Sequence, residues 1–193
     1  MLYPLSYGRI LLLTISVTGT SSDLWHFPET AIETAATGRC YAPSVMSGPP
    51  RVYLETTVIS YLTARPSRNL RVVAHQEITT DWWTRRRMRF ELYVSRLVID
   101  EASAGDGEAA AQRLVTLNGI PRLELTEAAS ILAENLVTGA AIPREAIEDA
   151  LHVAVAAAHG MDYLLTWNCR HIANATMRNR IADAARHPAS KRR

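Results

Sequence analysis

From Arg51 onward the chain alternates two patterns, and that alternation limits its fold more than any other feature. RVYL (51–54), ELYVS (91–95), RLEL (122–125) and DYLLT (162–166) are short apolar runs of strand length. Between them, apolar residues recur at helical spacing. Leu70, Val73, Ala74, Ile78 and Trp82 are mostly three or four positions apart. The pattern predicts helices over 56–64, from Ser67 to about Met88, over 97–103, from Asp106 with Ala110, Leu114 and Leu117 on one face, from Thr126 to about Val137, over 144–159 and over 172–185. Pro66 ends the first, Ser67 and Asp106 suit N-caps, Pro143 suits a first turn and Gly160 is a stop. Strands alternating with helices imply an α/β chain with a parallel sheet of about four strands and helices on both faces. Such sheets place their sites at the carboxyl ends of the strands. Glu55 follows the first strand and Asn168 follows the fourth.

The chain of 193 residues is long enough for one domain with a core, and 48% of it is hydrophobic. Residues 51–185 carry the regular pattern. Residues 1–50 read as a poorly ordered N-terminal extension, because 18–50 are rich in Thr, Ser, Gly and Pro and show no sustained period. Arg9 and ILLLTISVTG resemble a short signal peptide. The alternative is that translation starts at Met46, just before the regular pattern. Residues 186–193 are a basic tail. The formal charge of +2 selects no class of partner. Cys40 and Cys169 fit no metal or disulfide pattern, which suits a reducing, cytoplasmic setting. No apolar run has the length of a membrane span.

Four polar residues can converge in this arrangement: Glu55, Glu101 after the second strand, Asp149 on the 144–159 helix, and Asn168. A single acid at a strand end is usually solvated or a helix cap. Several acids in one cleft repel, and their pKa values rise unless a cation neutralises them. Oxygen ligands without cysteine point to Mg²⁺ or Mn²⁺.

RVYLETTVISYL, LYVSRLVIDEAS and EDALHVAVAAAHGMDYLLTWNCRHIAN resemble the PIN domain, in its VapC-type toxin branch. The similarity runs over about residues 51–175 in the expected order. It implies a three-layer α/β/α fold and divalent-metal-dependent hydrolysis of RNA phosphodiester bonds. It also implies a cognate antitoxin as partner, and homodimers. Residue by residue, Glu55 takes the place of the first acid, which is usually Asp, Glu101 that of the second and Asp149 that of the third. Asn168 stands where many members have a fourth acid, and is assigned to orienting water or a ligand. Glu55, Glu101 and Asp149 are the implied metal ligands, with Glu55 and Asp149 as the first choices for direct contact. Thr56 or Thr57 matches a hydroxyl residue that supports the first acid. The extra methylene of Glu55 shifts a ligand by about an ångström, a displacement that can cost on the order of 10²-fold in rate. Members usually continue into a fifth strand at the sheet edge, which RIADAARHPASKRR does not supply. A PIN domain that binds RNA or protein without cutting, and a DNA-directed nuclease, are the alternatives.

Other features have two readings. TRRRMR (84–89) suits the C-terminal dipole of its helix or forms a patch for RNA phosphates. Trp82 and Trp83 pack in the core or at an interface, or stack on bases. Trp167 reads as a wall of the site. His152 is an internal hydrogen-bonded imidazole or a phosphate contact, and Arg170 can reach a phosphate.

Overall fold

The computed structural model describes residues 11–14, 48–174, 176, 177, 180 and 181. Its strands are β1 (Leu11–Thr14), β2 (Arg51–Leu54), β3 (Glu91–Ser95), β4 (Arg122–Leu123) and β5 (Tyr163–Thr166). The helices are α1 (Thr56–Thr63), α2 (Leu70–Arg85), α3 (Arg96–Ser103), α4 (Gly107–Leu117), α5 (Glu127–Thr138) and α6 (Ile147–Ala158). The strands form a sheet of order β1-β5-β2-β3-β4, and every pair is parallel. The α/β class and the four strands expected from the sequence are therefore present. Helices α1 to α4 pack among themselves and α5 packs on α6, consistent with a three-layer α/β/α arrangement.

The sheet has a fifth member, β1, beside β5. Backbone of Leu11–Thr14 pairs with Tyr163–Thr166, giving partners to an edge that would otherwise present unpaired N–H and C=O groups. Residues 1–10 and 15–47, including Met46, and the basic tail lie outside the described residues. Residues 171–173 are turn and bend, and most of the helix expected over 172–185 also lies outside the described residues. Among the described residues no helix is long and apolar enough to cross a membrane.

Two strands carry the core. Val52, Tyr53 and Leu54 of β2 and Leu164, Leu165 and Thr166 of β5 are buried, as expected of strands covered on both faces. Their register is fixed at the amino end by Arg51 and Asp162. The Arg51 N–H donates to Asp162 Oδ2 at 2.8 Å, and the Asp162 N–H returns to the Arg51 carbonyl at 2.9 Å. The Arg51 guanidinium donates to the Gly160 carbonyl. Gly160 holds φ at +61°, a left-handed conformation that glycine adopts without strain and that turns the end of α6 into β5. One residue past β2, the Glu55 N–H donates to the Leu165 carbonyl at 3.0 Å.

Helix starts follow the capping expectations with one correction. Asp106 and Thr126 cap α4 and α5 through their side-chain oxygens. Helix α2 is capped by Asn69, whose Oδ1 accepts from the Arg71 N–H at 3.0 Å, and not by Ser67. Ser67 Oγ instead accepts from the Asn69 N–H, so it shapes the turn before the cap. The Arg85–Arg89 cluster ends α2 and leads into β3, whose first residue pairs with Arg51. That places the arginines at the amino end of the sheet, opposite Glu55. Arg85 pairs with Asp81 and Arg87 lies 4.9 Å over the Trp83 ring, while Trp82 is buried in the core.

Leu164 is fully buried in β5 between β1 and β2, so Leu164→Ala is expected to cost about 2–5 kcal/mol. Leu70→Ala, at a side chain 84% exposed, should change stability by less than about 0.5 kcal/mol. Urea unfolding of both variants checks this.

Candidate metal centre

Strand β2 lies between β3 and β5, so the chain leaves it in one direction toward β3 and β4 and returns on its other side as β5. The carboxyl ends of β2 and β5 therefore flank a topological switch point, where a crevice forms. Glu55 stands there. It caps α1 with extended backbone at φ −86° and ψ 154°, and its Oε1 accepts from the Thr57 N–H at 3.1 Å. Its Oε2 accepts from the hydroxyls of Thr57 and of Thr166, the latter at 2.7 Å. The side chain is only 4% exposed. Among the described residues these donors are neutral, and no arginine or lysine pairs with it.

The two threonines support different acids. Thr57 supports Glu55, and its Oγ1 also accepts from the Trp167 N–H at 2.9 Å. Thr56 donates to Glu101. Glu101 lies on α3 and meets His152 Nε2 at 3.2 Å. His152, buried on α6, is an internal hydrogen-bonded imidazole, with Nδ1 at 2.8 Å from Tyr53 Oη. Tyr53 Oη lies 2.7 Å from Ser95 Oγ, and that oxygen caps α3 by accepting from the Val98 N–H. A hydrogen-bonded chain thus runs Ser95–Tyr53–His152–Glu101–Thr56. Burial alone would raise the Glu101 carboxyl; the hydrogen bond and charge of His152, with the Thr56 hydroxyl, outweigh it and hold the carboxyl below its usual range. Tyr53 is pushed far above the ordinary phenol range, chiefly by burial. The Ser95 hydrogen bond opposes that rise, while the charges of Glu101 and Glu55 add to it.

One ligand atom from each of Glu55, Glu101 and His152 lies within 4.8 Å of the other two, so this group could hold a metal ion. The donor set fits a cation. It offers two carboxylates and an imidazole, and one of the carboxylates is buried with only neutral hydrogen-bond donors.

Asp149, an expected ligand, is not a member of this group. Its Oδ1 accepts from Asn168 Nδ2 at 2.8 Å, and its Oδ2 lies 2.7 Å from His171 Nδ1. Asn168 orients this acid and shapes the following turn. Its Oδ1 accepts from the N–H groups of Arg170 at 3.2 Å and His171 at 3.1 Å. The carboxyl end of the sheet therefore carries two adjoining clusters, Glu55–Glu101–His152 and Asp149–Asn168–His171. The Arg170 backbone is tied to Asn168, and Arg170 is exposed at the rim.

Trp167 is a wall. It is 8% exposed, its indole N–H donates to Thr79 Oγ1 at 2.8 Å, and its ring stacks on His75 at 3.9 Å. Burial lowers the His75 pKa. Sequence reasoning did not single out Thr166, Tyr53, Ser95 or His75. Tyr53 lies between Val52 and Leu54, and Thr166 follows Leu164 and Leu165, so a polar group next to buried apolar neighbours was the available signal.

Comparison with protein-family models, curated proteins and solved structures returns no match.

Thr57→Val removes a donor to Glu55 and leaves the Trp167 N–H without its acceptor, an expected cost of about 1–3 kcal/mol that Thr57→Ser largely restores. Chemical denaturation measures it. His75 has its pKa depressed in the folded state, so the unfolded chain takes up a proton first as the pH falls. Its contribution to stability is then lost progressively below the ordinary imidazole value of about 6.5, until the folded-state value is passed. Urea melts between about pH 7.5 and 5 should show a shallower loss for His75→Phe than for the unsubstituted chain.

Proposed function

We propose that this chain is a divalent-metal-dependent ribonuclease of the PIN type, acting as the toxin of a toxin–antitoxin pair. The observation that carries the metal-dependent part is the convergence of Glu55, Glu101 and His152 beside Asp149 and Asn168 at the switch point of a parallel sheet. RNA as substrate, an antitoxin as partner and a homodimer as assembly rest on the likeness of RVYLETTVISYL, LYVSRLVIDEAS and EDALHVAVAAAHGMDYLLTWNCRHIAN to that family.

Glu55 and Glu101 would hold the ion, Mg²⁺ or Mn²⁺, which supplies Lewis-acid activation of water and neutralisation of phosphate charge when bound. The chain's own residues do the positioning. Thr57 and Thr166 fix the Glu55 carboxylate, and Thr56 with His152 fixes Glu101. Asn168 and His171 hold Asp149 at the edge of the same crevice, where it orients the attacking water. Arg170 meets the nucleic-acid backbone from the rim.

A second reading, a PIN domain that binds RNA or protein without cutting, draws on one observation: Asp149 is engaged by Asn168 and His171 and stands apart from the other two acids. A cleavage assay on total RNA with Mg²⁺ or Mn²⁺ separates the readings. Cleavage should be abolished by EDTA and by Asp149→Asn, with the circular dichroism spectrum of the variant unchanged. Undiminished cutting by a well-folded Asp149→Asn protein would remove Asp149 from the site, and no cutting under any metal would favour the binding-only reading. Cleavage of structured DNA in preference to RNA would transfer the reading to a DNA-directed nuclease.

A further inference from the structure

We propose that His152 Nε2 is the third ligand of the centre, in the role expected of Asp149, and that this nitrogen makes the centre select Mn²⁺ over Mg²⁺. The inference rests on the reading of Glu55 and Glu101 as metal ligands and is independent of whether the chain cleaves RNA.

Two alternative third ligands are in reach of the crevice, and their surroundings differ. Asp149 lies outside the close group, with Oδ1 accepting from Asn168 at 2.8 Å and Oδ2 2.7 Å from His171 Nδ1. His152 shares the close group with Glu55 and Glu101. Its ring is buried, so water does not compete for it. Its Nε2 faces both Glu101 oxygens, at 3.3 and 3.2 Å. Glu55 is buried with neutral donors alone, so the positive charge that balances the pair has to come from a bound cation or from the imidazole.

The residues behind His152 can set its tautomer. When Nδ1–H donates to Tyr53 Oη, the phenol proton is free to donate to Ser95 Oγ, which already accepts from the Val98 N–H as the cap of α3. The Nε2 lone pair is then presented to the centre. Without an ion the chain of donors can run in reverse, with Tyr53 donating to Nδ1 and Nε2–H donating to Glu101. A ligating histidine whose other nitrogen is held by a hydrogen-bond partner is the usual arrangement at metal centres. Tyr53 is thus a positioning residue. Mg²⁺ takes oxygen ligands and sheds its water reluctantly, whereas imidazole nitrogen suits the first-row transition ions, so one nitrogen among two carboxylates discriminates between the two ions.

Isothermal titration of the full chain with MnCl₂ and with MgCl₂, and electron spin-echo spectroscopy of the Mn²⁺ form, test this. The expected result is Mn²⁺ binding at least about tenfold tighter than Mg²⁺, with ¹⁴N modulation from a bound imidazole. His152→Asp should abolish the ¹⁴N signal and bring the two affinities together. Tyr53→Phe keeps the ring and covers the case in which His152→Asp fails to fold; it should weaken Mn²⁺ binding by about 10–100-fold. Asp149→Asn should retain the ¹⁴N signal and the Mn²⁺ affinity. Mn²⁺ bound without ¹⁴N modulation, equal affinities for the two ions, no binding of either, or loss of the ion in Asp149→Asn with no effect of Tyr53→Phe would each overturn the proposal. RNA cleavage scored on the same samples is a separate readout. A nitrogen-ligated ion in a chain that does not cut leaves this inference standing and removes the nuclease reading, and cutting without the ¹⁴N signal does the reverse.

Discussion

A carboxylate is buried at the carboxyl end of β2, and the crevice is organised around keeping it there. Removing an ionised carboxylate from water without compensation is prohibitive, so Glu55 exists at 4% exposure only because its environment supplies hydrogen bonds. One comes from the backbone at the start of α1, one from the Thr57 hydroxyl and one from Thr166 of the neighbouring strand. The same contacts tie α1 to β5, and Thr57 passes the connection on to the Trp167 backbone. Loosening the acid would therefore loosen the joint between the two central strands.

The second acid is held by a different device. Glu101 lies on α3, one helix away from its strand, and reaches the crevice through Thr56 and His152. The line from Ser95 through Tyr53 to His152 crosses β3, β2 and α6, so three elements share one buried polar network. Networks of this kind are favourable only when every member is satisfied, and here each hydroxyl and each ring nitrogen from Ser95 to Thr56 has a partner. The amino end of the sheet is organised by other means. Arg51 and Asp162 set the register there, and the arginine cluster after α2 lies at that end, away from the crevice.

Much of the layout was legible in the chain because its signals are local. Strand runs, N-caps and the stop at Gly160 depend on residues within a few positions of each other, and Asp106 and Thr126 cap the helices assigned to them. The positions of Glu55 and Asn168 followed from the rule that parallel sheets present their carboxyl ends to a site. The errors fall where a local signal has two neighbouring candidates, as with Ser67 and Asn69. The pairing of β1 with β5 joins residues far apart in the chain, and no short-range pattern near Leu11 announces its partner. Likewise the spacing of Asp149 and His152 on one helix places both at the crevice, yet it does not say which of them turns toward Glu55 and Glu101.

The sequence by itself determined the class of fold, the order of the elements from Arg51 onward and the placement of Glu55, Glu101, Asp149 and Asn168 toward one end of the sheet. Those follow from period, capping chemistry and the handedness of strand–helix–strand connections, all of which act over short stretches. Only the tertiary structure decided how the polar residues divide. Glu55, Glu101 and His152 form one group, and Asp149, Asn168 and His171 form the other. That division depends on side-chain hydrogen bonds between residues such as Tyr53 and His152, or Thr166 and Glu55, which lie about a hundred positions apart and meet only when β2, β5 and α6 are packed together.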